Sequence, residues 1–522
     1  MKKIISVALA LILCLTLFPF GAFADELGSG SFGDNLQWSV DSSGTLSITG
    51  TGNMPSLEDI DDPFSTLWYA YCSDITSIVI GEGVTSIAEY AFYMCTSLKS
   101  AELPASIKSI GEGAFIYCIS LESIRLPEGL TSIGAGAFCA CMKLEGIQIP
   151  ESVKTIGDEA FAGCESLQSA NLPEGLTSLG GDVFDGTPFF AAYCEDAANW
   201  DGDLLYMGKY LVGAKSDISS AAIKDGTKLI AGYVFNDQGK LTGVSIPESV
   251  QGIGSYAFNS CRSLKTVSLP AGIKTIEEGT FSYCINLKDV KIPGSVTSIG
   301  DEAFEHCEKL TGITLPDSVT SIGEAAFLGC YMLSSVNIPA SVTSIGEAAF
   351  EETALESLSI PASVMSIGNW AFAGCKGLKN VQFYGKAPAE FGEEVFVECN
   401  DAFVLTVHTG DSSWTSGEAY NADEGTWNGY KLAFDDAHHY VAGAVTKPTC
   451  ENGGYTTYTC SCGDEVTADE TPALGHDYNG KTCTRCGQEN PDYKPDNGNF
   501  FSRMLDSIRN IFQKMFGWLF FC

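Results

Sequence analysis

Cysteine and histidine side chains near the C-terminus have the residue types and spacing of a metal-binding module. Following His438 and His439, the candidate zinc ligands are Cys450, Cys460, Cys462, His476, Cys483 and Cys486. Structural zinc is held by thiolates and imidazole nitrogens, and the Cys-x-x-Cys pair before a glycine sets two thiolates on one tight turn. The Cys-x9-Cys-x-Cys part matches no standard zinc ribbon, and disulfides are the natural alternative outside the cell. We expect a small Cys/His-rich β module at 438–490 that contains structural zinc, disulfides or free thiols, with no catalytic position.

A second group of cysteines recurs at a regular interval through the middle of the chain. The ten members of this cysteine column are Cys95, Cys118, Cys141, Cys164, Cys261, Cys284, Cys307, Cys330, Cys375 and Cys399. A metal or redox array is one interpretation, and a buried small residue that fills a turn is the other. The equivalent positions 187, 238 and 353 hold Thr, Gln and Thr. Because one chain accepts these replacements, we expect core thiols.

Acidic residues also recur once per interval, in some places as pairs. They are Glu112, Asp158, Glu159, Glu277, Glu278, Asp301, Glu302, Glu324 and Glu347. Paired carboxylates can cleave glycosides or bind calcium, but a periodic arrangement favours a solvated row of charges. The sequence holds no G-x-S-x-G, H-E-x-x-H or phosphate-binding loop. We therefore predict that the protein is not an enzyme.

The composition excludes one class of partner. The formal net charge is −36, which repels nucleic-acid phosphates. Since 45% of the residues are hydrophobic and only 18% are charged, the chain is expected to fold rather than to form an acidic disordered tail.

A 23-residue repeat must position the side chains of the cysteine column and of the acidic row. One unit, Leu121–Lys143, has the pattern L-x-x-I-x-L-P-x-x-L-x-x-I-G-x-x-A-F-x-x-C-x-x. Its first part is a short strand, because side chains alternate between inward Ile124 and Leu126 and outward Arg125. Proline ends this strand, and the L-T-S-I-G segment offers a second β-prone stretch. A single unit cannot bury its apolar face, so we predict a stacked solenoid with a parallel sheet over residues 75–400.

The repeat is interrupted between Phe184 and Phe235, where the spacing exceeds two units by five residues. The extra material is predicted at about 188–217. Within it, Asp203–Gly213 has the pattern of a β-hairpin that turns at Gly208 and Lys209. A structural excursion is the favoured interpretation, with a decoration on a binding side as the alternative.

The units resemble the BspA-like, or Treponema-type, leucine-rich repeats of surface proteins from bacteria that live with animal hosts. The resemblance covers roughly Ile75–Cys399, and Gly33–Met54 resembles the N-terminal segment common in such proteins, which would cap the solenoid at 25–74. The segment after Pro448 is similar to small β modules that accompany these repeats in gut bacterial proteins. The resemblance implies a β-rich leucine-rich-repeat solenoid and adhesion to host matrix proteins and other cells.

The outward positions of the first strand are the candidate ligand-binding residues. This outward ladder consists of Glu102, Arg125, Gln148, Asn171, Ser245, Ser268, Lys291, Thr314, Asn337 and Ser359. A solenoid presents such a face as a long surface on which many weak contacts add up. A polar sheet face kept for solubility is the alternative for each individual residue.

The two ends of the chain have their own patterns. Residues 1–24 have the basic start, apolar run and A-x-A site of a secretory signal peptide. After a connector or cap at 401–437 and the Cys/His module, a linker at 491–499 leads to an amphipathic helix at 500–522. This helix is too short and too charged to span a bilayer convincingly. It suits contact with a membrane surface, and docking on the protein's own modules or on a partner is the alternative.

These observations lead to two functional hypotheses. The first is a secreted, extracellular or cell-surface-associated adhesion protein, which binds proteins or glycans of host or neighbouring cells through the outward ladder. The second is an extracellular structural scaffold, which tethers partners or the cell envelope through the C-terminal modules. Neither requires a cofactor, and structural zinc is one of the alternatives for the Cys/His module.

Overall fold

The computed structural model describes residues 26–56, 67–438, 440–479 and 481–492. The chain forms two compact units, described separately below. The solenoid unit contains the residues up to Val407 together with Ser412–Asp435, and the Cys/His unit contains His408–Asp411 and the residues from Asp436 onward. The predicted signal peptide at 1–24, the terminal helix at 500–522 and most of the linker lie outside the described residues.

An antiparallel meander closes the N-terminal end of the solenoid. Its strands are β1 (Glu26–Phe32), β2 (Leu36–Asp41) and β3 (Thr45–Gly50). The last of them pairs in parallel with the first repeat strand at Ser77–Ile80. A 3-10 helix at Trp68–Tyr71 then places the Trp68 ring 5.8 Å from Phe92. The predicted β cap is confirmed, and it pairs the edge of the first strand.

The first half of the solenoid contains short strands at two places in each repeat. They are β4 (Gly52–Asn53), β5 (Ser77–Ile80), β6 (Val84–Ile87), β7 (Ser100–Glu102), β8 (Ser109–Ile110), β9 (Ser123–Ile124), β10 (Ser132–Ile133), β11 (Thr155–Ile156) and β12 (Ser178–Leu179). An isolated parallel bridge between Gly146 and Ser169 continues the line of β5, β7 and β9.

The insertion folds as a short helix followed by a β-hairpin. Its elements are α1 (Pro188–Glu195), a 3-10 helix (Ala197–Asn199), β13 (Trp200–Asp201), β14 (Leu204–Met207) and β15 (Tyr210–Ala214). The turn falls at Gly208 and Lys209, as the sequence predicts, and β15 then pairs in parallel with the repeat strand at Leu229–Ile230. The Tyr210 hydroxyl donates a hydrogen bond to the Pro173 carbonyl over 2.7 Å. The insertion is therefore built into the solenoid wall.

The second half of the solenoid repeats the same two-strand plan. Its strands are β16 (Ser220–Ala222), β17 (Leu229–Ile230), β18 (Gly243–Ser245), β19 (Gly252–Ile253), β20 (Thr266–Ser268), β21 (Thr275–Ile276), β22 (Asp289–Lys291), β23 (Ser298–Ile299), β24 (Gly312–Thr314), β25 (Ser321–Ile322), β26 (Ser335–Asn337), β27 (Ser344–Ile345), β28 (Ser357–Ile360), β29 (Ser366–Ile367), β30 (Asn380–Phe383), β31 (Glu390–Phe391) and β32 (Val404–His408).

The strands form two parallel rows, both in register from repeat to repeat. The first row comes from the L-x-x-I-x-L segment, where Val267 pairs with Val290. The second row comes from the S-I-G segment, where Ile299 pairs with Ile322. The predicted parallel sheet is confirmed, and the second β-prone stretch of each repeat forms a row of its own.

A column of phenylalanine rings fills the core between the two rows. Rings of successive repeats lie about one strand spacing apart, as in the 5.3 Å between the centroids of Phe304 and Phe327. Both side chains are fully buried. The backbone N–H of Phe304 donates to the carbonyl of Ala326 in the next repeat. Each repeat is thus joined to its neighbour by ring packing and by a backbone hydrogen bond at the same place.

The cysteine column lies beside the phenylalanine rings and consists of buried thiols, apart from the half-buried Cys399. Each thiol after Cys95 donates to a phenylalanine carbonyl of the preceding repeat, as Cys284 does to Phe258 over 3.1 Å. Burial raises the pKa of the Cys164 thiol to about 12. At one replaced position, the Thr353 hydroxyl donates to the Phe350 carbonyl instead. The expectation of core thiols is therefore confirmed.

The glycine after the second-row strand is required by the close approach of successive repeats. A Cβ atom on Gly134 would lie 2.5 Å from the backbone nitrogen of Glu112, one repeat earlier. No side chain fits at that distance, so only glycine allows the backbones to stack there.

Two asparagines of the first row replace backbone pairing with side-chain pairing. The amide of Asn171 donates to the Ile149 carbonyl and accepts from the Ile149 N–H, at 2.9 and 2.8 Å. Asn337 forms the same pair of bonds with Leu315, at 2.9 Å each. These side chains extend the sheet beyond the end of the regular strands.

Aromatic residues close the C-terminal end of the phenylalanine column. A 3-10 helix at Ser412–Trp414 leads to the strands β33 (Tyr420–Asn421), β34 (Thr426–Trp427) and β35 (Tyr430–Asp435). The Tyr430 ring packs edge-on at 5.4 Å from Phe396, and its hydroxyl accepts a hydrogen bond from the Phe396 N–H. The last ring of the column is thus covered by aromatic surface.

The Cys/His unit is a small antiparallel β structure. Its strands are β36 (Tyr440–Thr446), β37 (Gly454–Cys460), β38 (Glu465–Thr471), β39 (Tyr478–Asn479) and β40 (Thr482–Cys483). The order β36-β37-β38 forms one sheet, and β39 and β40 form a separate hairpin. Across the described parts of both units, no helix is long and apolar enough to cross a bilayer.

The phenylalanine column predicts a large cost for removing one ring. The substitution Phe304→Ala should lower the free energy of unfolding by about 3–5 kcal/mol, because the neighbouring rings cannot collapse into the cavity. Urea unfolding followed by circular dichroism measures the change. The matched control is Tyr331→Ala, since Tyr331 is 47% exposed and should cost far less. Equal losses for the two variants would contradict the packing assigned to the column.

The asparagine pairing predicts a smaller, specific effect. Asn337→Ala removes two hydrogen bonds to Leu315 and should destabilise the solenoid by about 1–3 kcal/mol. The control is Ser359→Ala, at an exposed ladder position on β28. The same urea titration tests both variants, and an unchanged unfolding midpoint for Asn337→Ala would show that its side chain is not part of the sheet.

Candidate functional site

The outward ladder lies on the first row of strands and faces solvent. Nine of its ten side chains are exposed, and Asn171 is half-buried. The strand register aligns neighbouring members, with Ser268 beside Lys291 and Thr314 beside Asn337. The ladder therefore presents one polar group per repeat, with one interruption after the insertion, where Ala222 lies beside Ser245.

Two predicted ladder residues have a structural role that the sequence did not indicate. The amides of Asn171 and Asn337 are engaged with the backbone of the preceding repeat, as described above. Each amide can therefore offer a ligand only its second N–H and the free lone pair of its oxygen. Any binding contribution from these two positions is correspondingly smaller than the ladder pattern suggests.

The ladder also extends beyond the residues predicted from the sequence. In register, Val79 lies beside Glu102 at the N-terminal side, and Gln382 and Thr406 follow Ser359 at the C-terminal side. The proline that follows most first-row strands is missing after Val79 and Gln382, so the repeat pattern passed over them. The apolar-x-apolar alternation around each of them was the available signal.

A shallow cavity of about 580 Å³ lies on the ladder where the first row narrows to a single bridge. Its lining includes Arg125, Gln148, Glu128, Glu151 and Ser169. Within the described residues, the Arg125, Gln148 and Glu128 side chains form no hydrogen bond or ion pair. The cavity thus combines a guanidinium, an amide and the Glu128 carboxylate, which folding leaves available, whereas the Glu151 carboxylate accepts from the Glu174 N–H.

Several of the periodic acidic residues form hydrogen bonds between neighbouring repeats at the surface of the solenoid. The Tyr256 hydroxyl donates to Glu278 over 2.6 Å and to Glu302 over 3.1 Å. The Asp158 carboxylate accepts from the Gly181 N–H one repeat later, over 2.6 Å. Hydrogen bonding to the Glu112 carboxylate, together with burial, raises the pKa of the Tyr90 hydroxyl to about 12. The sequence predicts a solvated row of charges, and these contacts between repeats add a structural role at these positions.

The six predicted metal ligands belong to two separate clusters. The Cys450 site contains Cys450, His476, Cys483 and Cys486. The His408 site contains His408, His438, Cys460 and Cys462. In each cluster the four potential ligand atoms all lie within 4.8 Å of one another. The sequence pattern therefore named the cysteines and one histidine of these clusters but merged the two groups into one.

His408 is the residue that the sequence did not indicate. It is the last residue of β32, 30 positions before His438 in the chain. The Ser412–Asp435 segment of the solenoid unit separates it from the rest of the Cys/His unit. Its only sequence signal is a histidine directly after the alternating residues Val404–Val407, which is weak by itself.

Tight turns position the cysteines of both clusters. At the end of β37, the Gly463 N–H donates to the Cys460 carbonyl over 2.9 Å. At the end of β40, the Gly487 N–H donates to the Cys483 carbonyl over 2.9 Å, and Gly487 has a φ of +76° that favours glycine. The glycine after each cysteine turn thus reverses the chain and holds the sulfur atoms on one side.

The thiols of the Cys450 site have unequal proton affinities. Burial raises the pKa of Cys483, but N–H donors of Cys486 and Arg485 and the His476 ring outweigh it and lower this pKa to about 5. Burial and the neighbouring Cys486 and Cys483 raise the pKa of Cys450 to about 11. The lowered pKa of Cys483 gives the site a negative sulfur that suits a cation.

Comparison with known proteins identifies the repeat. The family model of the BspA type leucine rich repeat region, in six copies, matches residues 65–189, 207–332 and 297–409. No curated protein sequence matches the chain.

Several solved structures of bacterial leucine-rich-repeat proteins are similar. One from Bacteroides ovatus is 26% identical with a TM-score of 0.34, and the match covers 77% of this chain and 99% of that one. A leucine rich cell surface protein from Faecalibacterium prausnitzii is also 26% identical, with a TM-score of 0.29 and coverage of 60% and 95%. Since the family model spans well over half of the sequence, the chain belongs to the BspA-type leucine-rich-repeat family.

Proposed function

We propose that this chain is a secreted or cell-surface interaction protein, which binds proteins or glycans of host or neighbouring cells through the outward ladder. The family to which it belongs supports an interaction role in general. The proposal adds two points to that general role: the class of ligand, and a location outside the cell or on its surface. An enzymatic role has no support from the repeat architecture, in which the recurring cysteines and several of the recurring acids form contacts between repeats.

The cavity around Arg125 and Gln148 is the observation that carries the proposal. Buried repeat positions are fixed by stacking, so residues that vary between equivalent repeats and stay exposed are free to serve a ligand. Arg125 offers a fork of N–H donors, Gln148 offers a donor and an acceptor, and Glu128 offers acceptors. Such a mixture suits hydroxyl, amide and carboxylate groups of a protein or glycan surface.

The length of the ladder explains how weak local contacts can give useful affinity. A standard protein interface buries about 800 Å² on each side, and several adjacent rungs with their flanking residues supply such an area. Within such an area a few residues carry most of the binding energy. The Arg125 cavity is the candidate for that centre, and the other rungs provide the surrounding surface.

A tethering role through the C-terminal modules is the second candidate. One observation favours it, because the Cys/His unit forms a compact body of its own. Contact of residues 500–522 with a membrane surface would serve the same role and stays a prediction from the sequence.

The ladder proposal predicts loss of binding from charge reversal at the cavity. The full mature chain is screened on arrays of extracellular matrix proteins and glycans, and the double variant Arg125→Glu and Gln148→Glu is then compared on each ligand found. Affinity should fall at least about tenfold, since about 1.4 kcal/mol gives a factor of ten. Surface plasmon resonance measures the change.

The control for this experiment is Lys143→Glu, an exposed charge reversal outside the ladder. It should bind like the unmodified chain, and the thermal melts of all variants should coincide. If the double variant binds as well as Lys143→Glu, the ligand does not use this face. Equal binding by all ladder variants, with loss only on removal of the Cys/His unit, would instead favour tethering.

A further inference from the structure

The described part of the Cys/His unit has almost no apolar core. Among its described residues, the buried apolar side chains are all cysteines, namely Cys450, Cys460 and Cys483. Every residue of β36 and of β38 is exposed. Small domains that cannot bury enough apolar surface depend on disulfides or bound metal for stability. The unit therefore needs a cross-link at its cysteines.

The distances between the cysteine and histidine atoms match a tetrahedral metal ion. Zinc bonds of about 2.3 Å to sulfur and about 2.0 Å to nitrogen place two ligands of a tetrahedron about 3.8 Å apart for a sulfur pair and about 3.5 Å for a sulfur–nitrogen pair. The Sγ atoms of Cys450 and Cys483 lie 3.8 Å apart. The Nδ1–Sγ separations are 3.5 Å for His476 and Cys486 and 3.4 Å for His438 and Cys462.

The sulfur–sulfur distance at the Cys450 site is too long for a disulfide, and Cys460 and Cys462 of the His408 site are likewise free thiols. A disulfide requires sulfur atoms about 2.05 Å apart, and the 3.8 Å between Cys450 and Cys483 is close to twice that length. Both histidines also direct a ring nitrogen at a cysteine, which a disulfide would not require.

The two clusters share one local plan. In each, a histidine is followed two residues later by a tyrosine whose ring stacks on it, His438 on Tyr440 and His476 on Tyr478. The ring planes are 15° and 18° apart. Stacking fixes the imidazole so that Nδ1 faces the cysteines. Recurrence of this arrangement at two separate places in the unit indicates a repeated ligand-holding device.

His408 supplies an independent sign that an ion belongs in its cluster. Its Nε2 atom is buried and has no hydrogen-bond partner in the described structure. Such buried polar atoms are nearly always satisfied, and a metal ion would satisfy this one. Coordination through Nε2 puts the ring proton on Nδ1, so the 2.9 Å contact of Nδ1 with the Gly410 N–H must lengthen on binding. His408 should therefore be the weakest of the ligands.

From this geometry we propose that the Cys/His unit binds two structural zinc ions. The His408 site holds one ion with two cysteines and two histidines, and the Cys450 site holds the other with three cysteines and one histidine. All four positions are filled by protein in each site, so the ions stabilise the fold and leave no open position for catalysis. The first ion also fastens the His408–Asp411 segment to the rest of its own unit.

The test is the zinc content of the full mature chain, purified with Zn²⁺ present and measured by mass spectrometry of the metal. Two zinc ions per chain are expected. Cys483→Ser should reduce the count to one by removing the Cys450 site. Cys462→Ser should reduce it to one by removing the His408 site, and combining the two should reduce it to zero. His408→Asn should weaken zinc retention in a chelator competition less than Cys462→Ser does.

Two controls separate loss of a ligand from loss of folding. Cys462→His keeps a zinc ligand at the position and should retain two ions. Cys139→Ser changes a partly exposed thiol of the solenoid, outside both sites, and should also retain two. Substitution of Co²⁺ should give the visible spectrum of tetrahedral thiolate coordination, which a misfolded chain would not show.

Other results overturn the proposal. Absence of zinc together with a mass lower by two hydrogens per cysteine pair would show that disulfides cross-link the unit. Absence of zinc with all thiols free would show that the clusters bind no metal. The unmodified chain could also bind a single zinc ion that only one of the two substitutions, Cys483→Ser or Cys462→Ser, removes. In that case the site of the other cysteine binds no zinc, and the proposal is wrong for that site.

Discussion

The solenoid depends on one constraint: every residue of a repeat must fit against its own counterpart about one strand spacing away. Phenylalanine satisfies it because flat rings stack, as Phe304 does on Phe327 at 5.3 Å. Cysteine satisfies it because its small thiol fits the turn and bonds a carbonyl of the preceding repeat, as Cys284 does. Glycine satisfies it at Gly134 because any Cβ would strike the adjacent backbone. Positions outside this contact, such as Arg125, are free to vary.

The same residue type has a different role once the repeat ends. In the solenoid, cysteine lies beside phenylalanine in a large apolar core, and burial keeps it a thiol. In the described residues of the Cys/His unit, the only buried apolar side chains are cysteines, and these cysteines meet histidines. The solenoid therefore needs no cross-link between its repeats, whereas the small unit does. This difference explains why cysteine is abundant in both parts without a shared chemistry.

The periodic part of the structure could be predicted from the sequence, because each repeat contacts only its neighbours. Residues at equivalent positions of the repeat are therefore the residues that pack on each other. The cap, the two strand stretches and the hairpin at Gly208 and Lys209 are all local features. The division of the ligands into two clusters is not local, since His408 joins Cys460 only through the fold. The sequence also did not indicate that Asn337 bonds the backbone of Leu315. The alternation of apolar and polar residues shows that its side chain points outward, but it does not show which group that side chain bonds.

We propose that stacking alone holds the solenoid, whereas bound metal holds the Cys/His unit. Amide hydrogen exchange of the full chain, with and without a strong chelator and a reductant, tests it directly. The Phe304 N–H and its equivalents, which bond the next repeat, should exchange at the same slow rate in both conditions. The amides of β37, which pair with β38, should lose protection when metal is removed. Faster exchange throughout the solenoid, or unchanged protection of β37, would contradict the account.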